Sequence, residues 1–211
     1  MPKNPTFDQR VKWHLAHARH CACRPMPGPI LEEVKKRHRN THQEFWIFFT
    51  ADDHKALALW AADCAEHVLP YFEAEYPQDT RPREAIRVLR EWVKTGKFSM
   101  PVIRGASLAA HAAARQVKGT DGAACFAARA AGQAVATAHV PTHALGAALY
   151  ALKTLVAVQP ADLDAAIIRE RDWQFRRLPA NLREWVASGL KQKQRAFLPP
   201  TRPRPIKRKQ N

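Results

Sequence analysis

Apolar positions recur along most of this chain at the i, i+3, i+4 spacing of helices that bury one face. Phe7, Val11, Leu15 and Ala18, with Trp13, predict a short amphipathic helix over 7–20. Pro25, Pro27, Gly28 and Pro29 break the chain, and Ile30, Leu31 and Val34 predict a second helix to about His38. The run Phe45–Phe49 is strongly apolar but too short and isolated for a sheet, so it reads as a packing segment or helix start. From His54 the stripe runs through Leu57, Trp60, Ala61, Cys64, Val68 and Phe72, with Asp52 or Asp53 as the expected N-cap. Pro70 should kink that helix or open a final turn. Tyr76-Pro77 ends it, and Asp79 or Thr80 should cap the next, with Pro82 in its first turn. Ile86, Leu89, Arg90 and Val93 carry the pattern on to a stop at Gly96.

Five more helices are predicted at 102–117, 121–138, 142–157, 161–176 and 180–194. Gly119-Thr120, Val140-Pro141, Gln159-Pro160 and Leu178-Pro179 separate them. Strict alternation never lasts the roughly five or six residues of an ordinary strand. The expected fold class is all-α: a compact bundle of about seven to nine helices.

Composition sharpens this picture in one place. Of the 46 residues from Ala106 to Ala151, 19 are alanine. Alanine has the best helix propensity and no side-chain entropy to lose, and its small side chain lets neighbouring backbones approach. The central helices should therefore pack tightly. Cys64 and Cys125 fall within apolar helical patterns, where cysteine behaves as a small hydrophobe. Without a signal peptide or a disulfide framework, a reducing cytoplasm is the expected location. No apolar run approaches the ~20 residues of a membrane-spanning helix, so no membrane insertion is expected.

Charge changes the picture more. The chain carries +15 overall, but residues 1–50 hold 9 Lys/Arg against 4 Asp/Glu, and residues 51–184 hold 17 against 15. Residues 185–211 hold 8 basic residues and no acid. The middle is nearly neutral and the ends are basic. Three parts follow: an N-terminal helical extension over 1–50, an Ala-rich helical domain over 51–195, and a disordered basic tail over 196–211. Arg202, Arg204, Lys207, Arg208 and Lys209 of that tail can attract a polyanion weakly by counterion release, without reading sequence. No aromatic residue follows Phe197, so base stacking has no platform there.

Candidate chemistry centres on histidines set among small residues. Asp63 and His67 are four apart on one predicted helix, with Glu66 beside them. His139 and His143 have the same spacing, and His111 lies mid-helix between the two groups. Such spacings can chelate a first-row metal. Pro141 interrupts the second pair, however, and no glutamate adjoins a histidine in the metalloprotease pattern. The simpler expectation is a buried polar network, or a partner contact, that also takes in Arg115, with no bound metal or cofactor. His14, His17, His20, Cys21 and Cys23 form a second group, but Cys-x-Cys lacks the gap of a zinc knuckle and no second pair follows. Asp79, Arg81 and Arg83 at the Asp79–Glu84 corner suit capping and exposed ion pairs, or contact with an acidic partner. No phosphate-binding Gly-rich loop or nucleophile elbow is present, which disfavours an enzyme.

Four runs resemble a known family. They are Leu57-Ala-Leu-Trp-Ala-Ala-Asp-Cys-Ala-Glu-His-Val-Leu69, Tyr76-Pro-Gln-Asp-Thr-Arg-Pro-Arg-Glu-Ala-Ile86, Ala109–Arg115 and Ala130–His139. Together, over roughly residues 53–177, they resemble the bacterial family of putative immunity proteins named immunity-five-like. The resemblance implies a helical, non-catalytic protein that neutralises a cognate polymorphic toxin by binding it. It implies no catalytic residues. The alternatives are a nucleic-acid-associated helical protein using its basic termini, and a metal-dependent enzyme using the His/Asp cluster.

Overall fold

A computed structural model describes residues 4–20, 26–37, 50–119 and 122–197. Among them are α1 (Phe7–His20), α2 (Gly28–Arg37), α3 (Ala51–Val68), α4 (Pro70–Glu73) and α5 (Arg81–Thr95). The series continues with α6 (Met100–Gln116), α7 (Ala123–Ala136), α8 (His143–Val158), α9 (Leu163–Arg176) and α10 (Ala180–Phe197). No strand occurs among the described residues, and the protein is an all-α bundle. The run Phe45–Phe49, the pair Cys21 and Cys23, and the tail residues Arg202, Arg204, Lys207, Arg208 and Lys209 lie outside the described residues.

The helix ends follow local chemistry. Neither Asp52 nor Asp53 is the N-cap of α3; Thr50 is. Its Oγ1 accepts from the Asp53 backbone N–H at 3.0 Å, and the Asp53 carboxylate accepts from the Thr50 backbone N–H at 3.0 Å. Asp53 thus fills the third position of a capping box rather than the cap itself. Pro70 has no N–H to continue α3, which stops at Val68, and α4 begins as a separate turn. Thr80 precedes α5 without a side-chain cap bond, and Gly96, at φ 69°, closes that helix in the left-handed region. Asp162 caps α9 through the Ala165 N–H at 3.1 Å. The basic tail was expected from residue 196, whereas α10 runs on to Phe197.

α7 and α8 form the centre. α7 lies against α3, α4, α5, α6 and α8, and α8 against α3, α9 and α10 as well. Ala127, Ala128, Ala130, Ala131 and Ala134 of α7 are fully buried, as are Ala144, Ala147, Ala148 and Ala151 of α8. Bulk comes from the surroundings: Leu57 and Trp60 of α3, Phe72 of α4, Leu89 of α5 and Leu182 of α10 are all buried. Small residues at the centre and large ones around it interdigitate at the density that protein interiors require. Cys64 and Cys125 are free and buried in this core, and burial, reinforced by Glu170 and Asp63, pushes the Cys64 thiol up. α1 and α2 pack on each other around Val11, Ile30 and Val34, a cluster separate from the main core.

Candidate interaction site

The histidines singled out in the sequence divide into two places. On α3, His67 Nδ1 meets the Glu170 carboxylate of α9 at 2.8 Å. Its ring stacks on Trp173, with centroids 3.9 Å apart, and the Arg177 guanidinium lies 3.9 Å from the centroid of that same indole. Glu170 is buried, and its other oxygen accepts from Gln174 Nε2 at 2.9 Å. Asp63 and Glu66 turn instead to α5, where Arg90 Nη2 donates to them at 2.8 and 2.5 Å. Burial works against the charge on Arg90, but these two bonds hold its guanidinium above the usual range. Asp63, Glu66 and His67 therefore tie α3 to α5 and α9.

The second place lies around α6, α7 and α8. α7 ends at Ala136 and α8 begins at His143, so Pro141 does part His139 from His143. His143 Nδ1 donates to Gln133 Oε1 of α7 at 2.8 Å. Gly146 permits this: a Cβ there would fall 2.5 Å from Gln133 Oε1. Burial first, and then the charges of Lys193, His139 and His111, push the His143 imidazole down to about 4. His111 is lowered too, by burial and then by Arg129 and Arg115; the Arg115 side chain itself is exposed. Its ring lies over Gly132 of α7, where a Cβ would meet ring atoms at 2.9 Å.

That contact yields a prediction. Gly132→Ala should push the His111 ring off α7 and destabilise the fold by about 1–3 kcal/mol, despite the helix propensity alanine brings. Thermal unfolding gives the loss, and the His111 ring resonances report the displacement. An alanine variant as stable as the parent would show that the α6–α7 contact is loose.

Beside His143 the α7, α8 and α10 helices enclose a pocket of about 190 Å³, lined by Gln133, His143, Gly146, Leu149, Tyr150, Lys153 and Lys193. Lys193 Nζ donates to the Thr142 carbonyl at 3.4 Å, and burial pushes its ammonium down. Lys153 Nζ sits 5.5 Å from the Phe126 ring centroid and 5.6 Å from that of Tyr150. Sequence reasoning missed both lysines. One signal was there: Lys153 is the single charged residue of α8. It also missed His54, whose Nε2 donates to the Thr137 carbonyl at 2.6 Å and whose pKa burial lowers.

The Asp79 corner is a set of ion pairs. Arg81 grips Asp79 through Nε at 2.8 Å and Nη2 at 2.5 Å and reaches Gln116 of α6 at 2.6 Å. That grip holds the Asp79 carboxyl below its usual range. Arg83 pairs with Glu73 at 2.5 and 2.6 Å, and Arg87 with Glu84 at 2.8 and 2.6 Å. Among the described residues, no group of three or more His, Cys, Asp or Glu is arranged to hold a metal ion. No described helix is long and apolar enough to cross a membrane.

Comparison with known proteins places this bundle. Searches of curated proteins and of solved structures returned no match. The family model described as Imm-5 like putative immunity protein matches residues 48–181, which span α3 to α9 and the start of α10. The match covers more than half of the 211 residues, and the chain belongs to the Imm-5 like putative immunity protein family.

Proposed function

We propose that this protein neutralises a cognate toxin by stoichiometric binding, without catalysis of its own. The observation that carries the reading is the family match over residues 48–181, which takes in the α7–α8 centre and the helices around it. The geometry is in keeping with it. Asp63 and Glu66 are engaged by Arg90, His67 by Glu170, Asp79 by Arg81, and His143 by Gln133. Apart from the local Asp79–Arg81 pair, each of these contacts fixes one helix against another, as suits a rigid binding scaffold. Residues 51–195 form the binding domain in this reading, with residues 1–50 and the basic tail as appendages.

Affinity capture from the source cells tests this, using the full chain and a chain ending at Phe197 side by side. Both should retain one protein at high salt, and that protein should arrest growth when expressed alone but not with this chain. Recovery of nucleic acid only, lost at high salt or without residues 198–211, would replace the reading with one in which the basic ends act.

A further inference from the structure

We infer that the pocket between α7, α8 and α10 receives the carboxylate of an aspartate or glutamate side chain presented by a protein partner. Among the described residues its lining holds two lysines, Lys153 and Lys193, and no carboxylate. The lysines come from different helices, α8 and α10, and both line this one cavity, Lys153 Nζ lying also against the Phe126 and Tyr150 rings and Lys193 Nζ on the Thr142 carbonyl. An incoming carboxylate gains charge-assisted hydrogen bonds from such a pair, stronger than neutral ones. Leu149 and the Tyr150 ring supply apolar wall for the methylene stem of an acidic side chain.

Size decides what can enter. At about 190 Å³ the cavity is smaller than the roughly 300–1,000 Å³ usual for small-molecule and cofactor sites, and suits a single side chain. Interface hot spots are commonly of this kind, one anchor seated in a desolvated pocket. Residues 185–211, which include Lys193, hold 8 basic residues and no acid, and that local charge favours encounter with an acidic surface. That the carboxylate comes from a protein rests on the toxin-binding reading above; that the pocket takes a carboxylate does not.

The test uses the full chain and two short blocked peptides, acetyl-Gly-Glu-Gly-amide and its glutamine counterpart, with inorganic phosphate as a third probe. Histidine ring resonances are followed by NMR as each is added. The Glu peptide should shift the His143 ring and raise its titration midpoint, because an anion nearby favours the imidazolium. The Gln peptide should do neither. Lys153→Met and Lys193→Met should each weaken the response at least tenfold, and Lys193→Arg should keep it. Should a methionine variant fail to fold, Lys153→Gln and Lys193→Gln take its place. No response to the Glu peptide, or an equal response from the doubly substituted chain, would overturn the assignment. Response to phosphate alone would overturn it in favour of a phosphate-binding pocket. These outcomes are separate from toxin capture. Toxin held at undiminished affinity by both variants would exclude the pocket from the interface yet leave the toxin reading standing.

Discussion

Replacing Trp60 by alanine should destabilise the protein by about 3–5 kcal/mol, the largest single-residue effect expected outside the interface. Among the described residues Trp60 is the largest fully buried side chain, at 1% exposure, and α7 and α8 bring mostly alanine to the core around it. Helices already in close contact through alanine cannot move inward to fill a hole of that size, so the cavity persists. The indole also donates to the Gln174 carbonyl of α9 at 2.8 Å, a bond that fixes α9 against the core. Trp60→Phe separates the two contributions. It keeps most of the volume, and the Gln174 carbonyl keeps the Arg177 N–H as a donor, so about 1–2 kcal/mol should be lost. Denaturant unfolding of both variants gives the comparison, and a Trp60→Ala cost below that of Trp60→Phe would refute the packing argument.

Acid should unfold the protein partly through His143. Its imidazole titrates at about 4 in the fold against an ordinary value of 6.5. The unfolded chain therefore takes up the proton first, and the stability is fully present above about pH 6.5. It is lost progressively as pH falls from there toward 4, reaching about 3 kcal/mol at most, since each unit is worth about 1.4 kcal/mol. His54 and His111 are lowered as well, chiefly by burial, and add loss in the same direction. The carboxylates act lower down: Arg81 holds Asp79 below 3.8, so its contribution goes only in stronger acid. Unfolding at pH 7.5 and 4.5 should show a smaller pH effect in His143→Gln than in the parent. Identical pH dependence would mean that His143 does not carry this share.

Much of the fold was legible because its helices are punctuated by residues with one physical reading. Pro70 and Gly96 stop helices for reasons that survive any tertiary context, and the alanine run marked α7 and α8, the packed centre, together with α6 beside them. The α3 cap is less legible, and lies at Thr50 rather than at either aspartate. Asp52 and Asp53 look like caps, but the threonine three residues before Asp53 makes the reciprocal box, and it stands at the edge of the apolar Phe45–Phe49 run.

The site was less legible, because spacing within a helix says nothing of which helix lies opposite. Asp63 and His67 share a helix, yet Asp63 bonds to Arg90 of α5 at 2.8 Å and reaches Arg177 at the end of α9 only at 4.0 Å, while His67 meets Glu170 within α9. Glu170 and Gln174 are the buried residues of α9, while Ile168 is 59% exposed, the reverse of what hydropathy suggests for that helix. His67 Nδ1 serves Glu170, and the Ala148 carbonyl and Glu170 accept from Gln174 Nε2, although Gln174 Oε1 has no hydrogen-bond partner among the described residues; partners of this kind come only from the assembled bundle. Lys193 was likewise read with the basic end of the chain, and only the packing of α10 on α8 brings it beside Lys153.

The most direct test of the central claim is a titration of the captured toxin's activity with this protein. Stoichiometric neutralisation predicts inhibition that rises linearly to an endpoint at one equivalent, does not grow with time, and leaves the toxin's mass unchanged. Inhibition by a small fraction of an equivalent that deepens with time, or a covalently altered toxin, would contradict it and make this protein an enzyme acting on its partner.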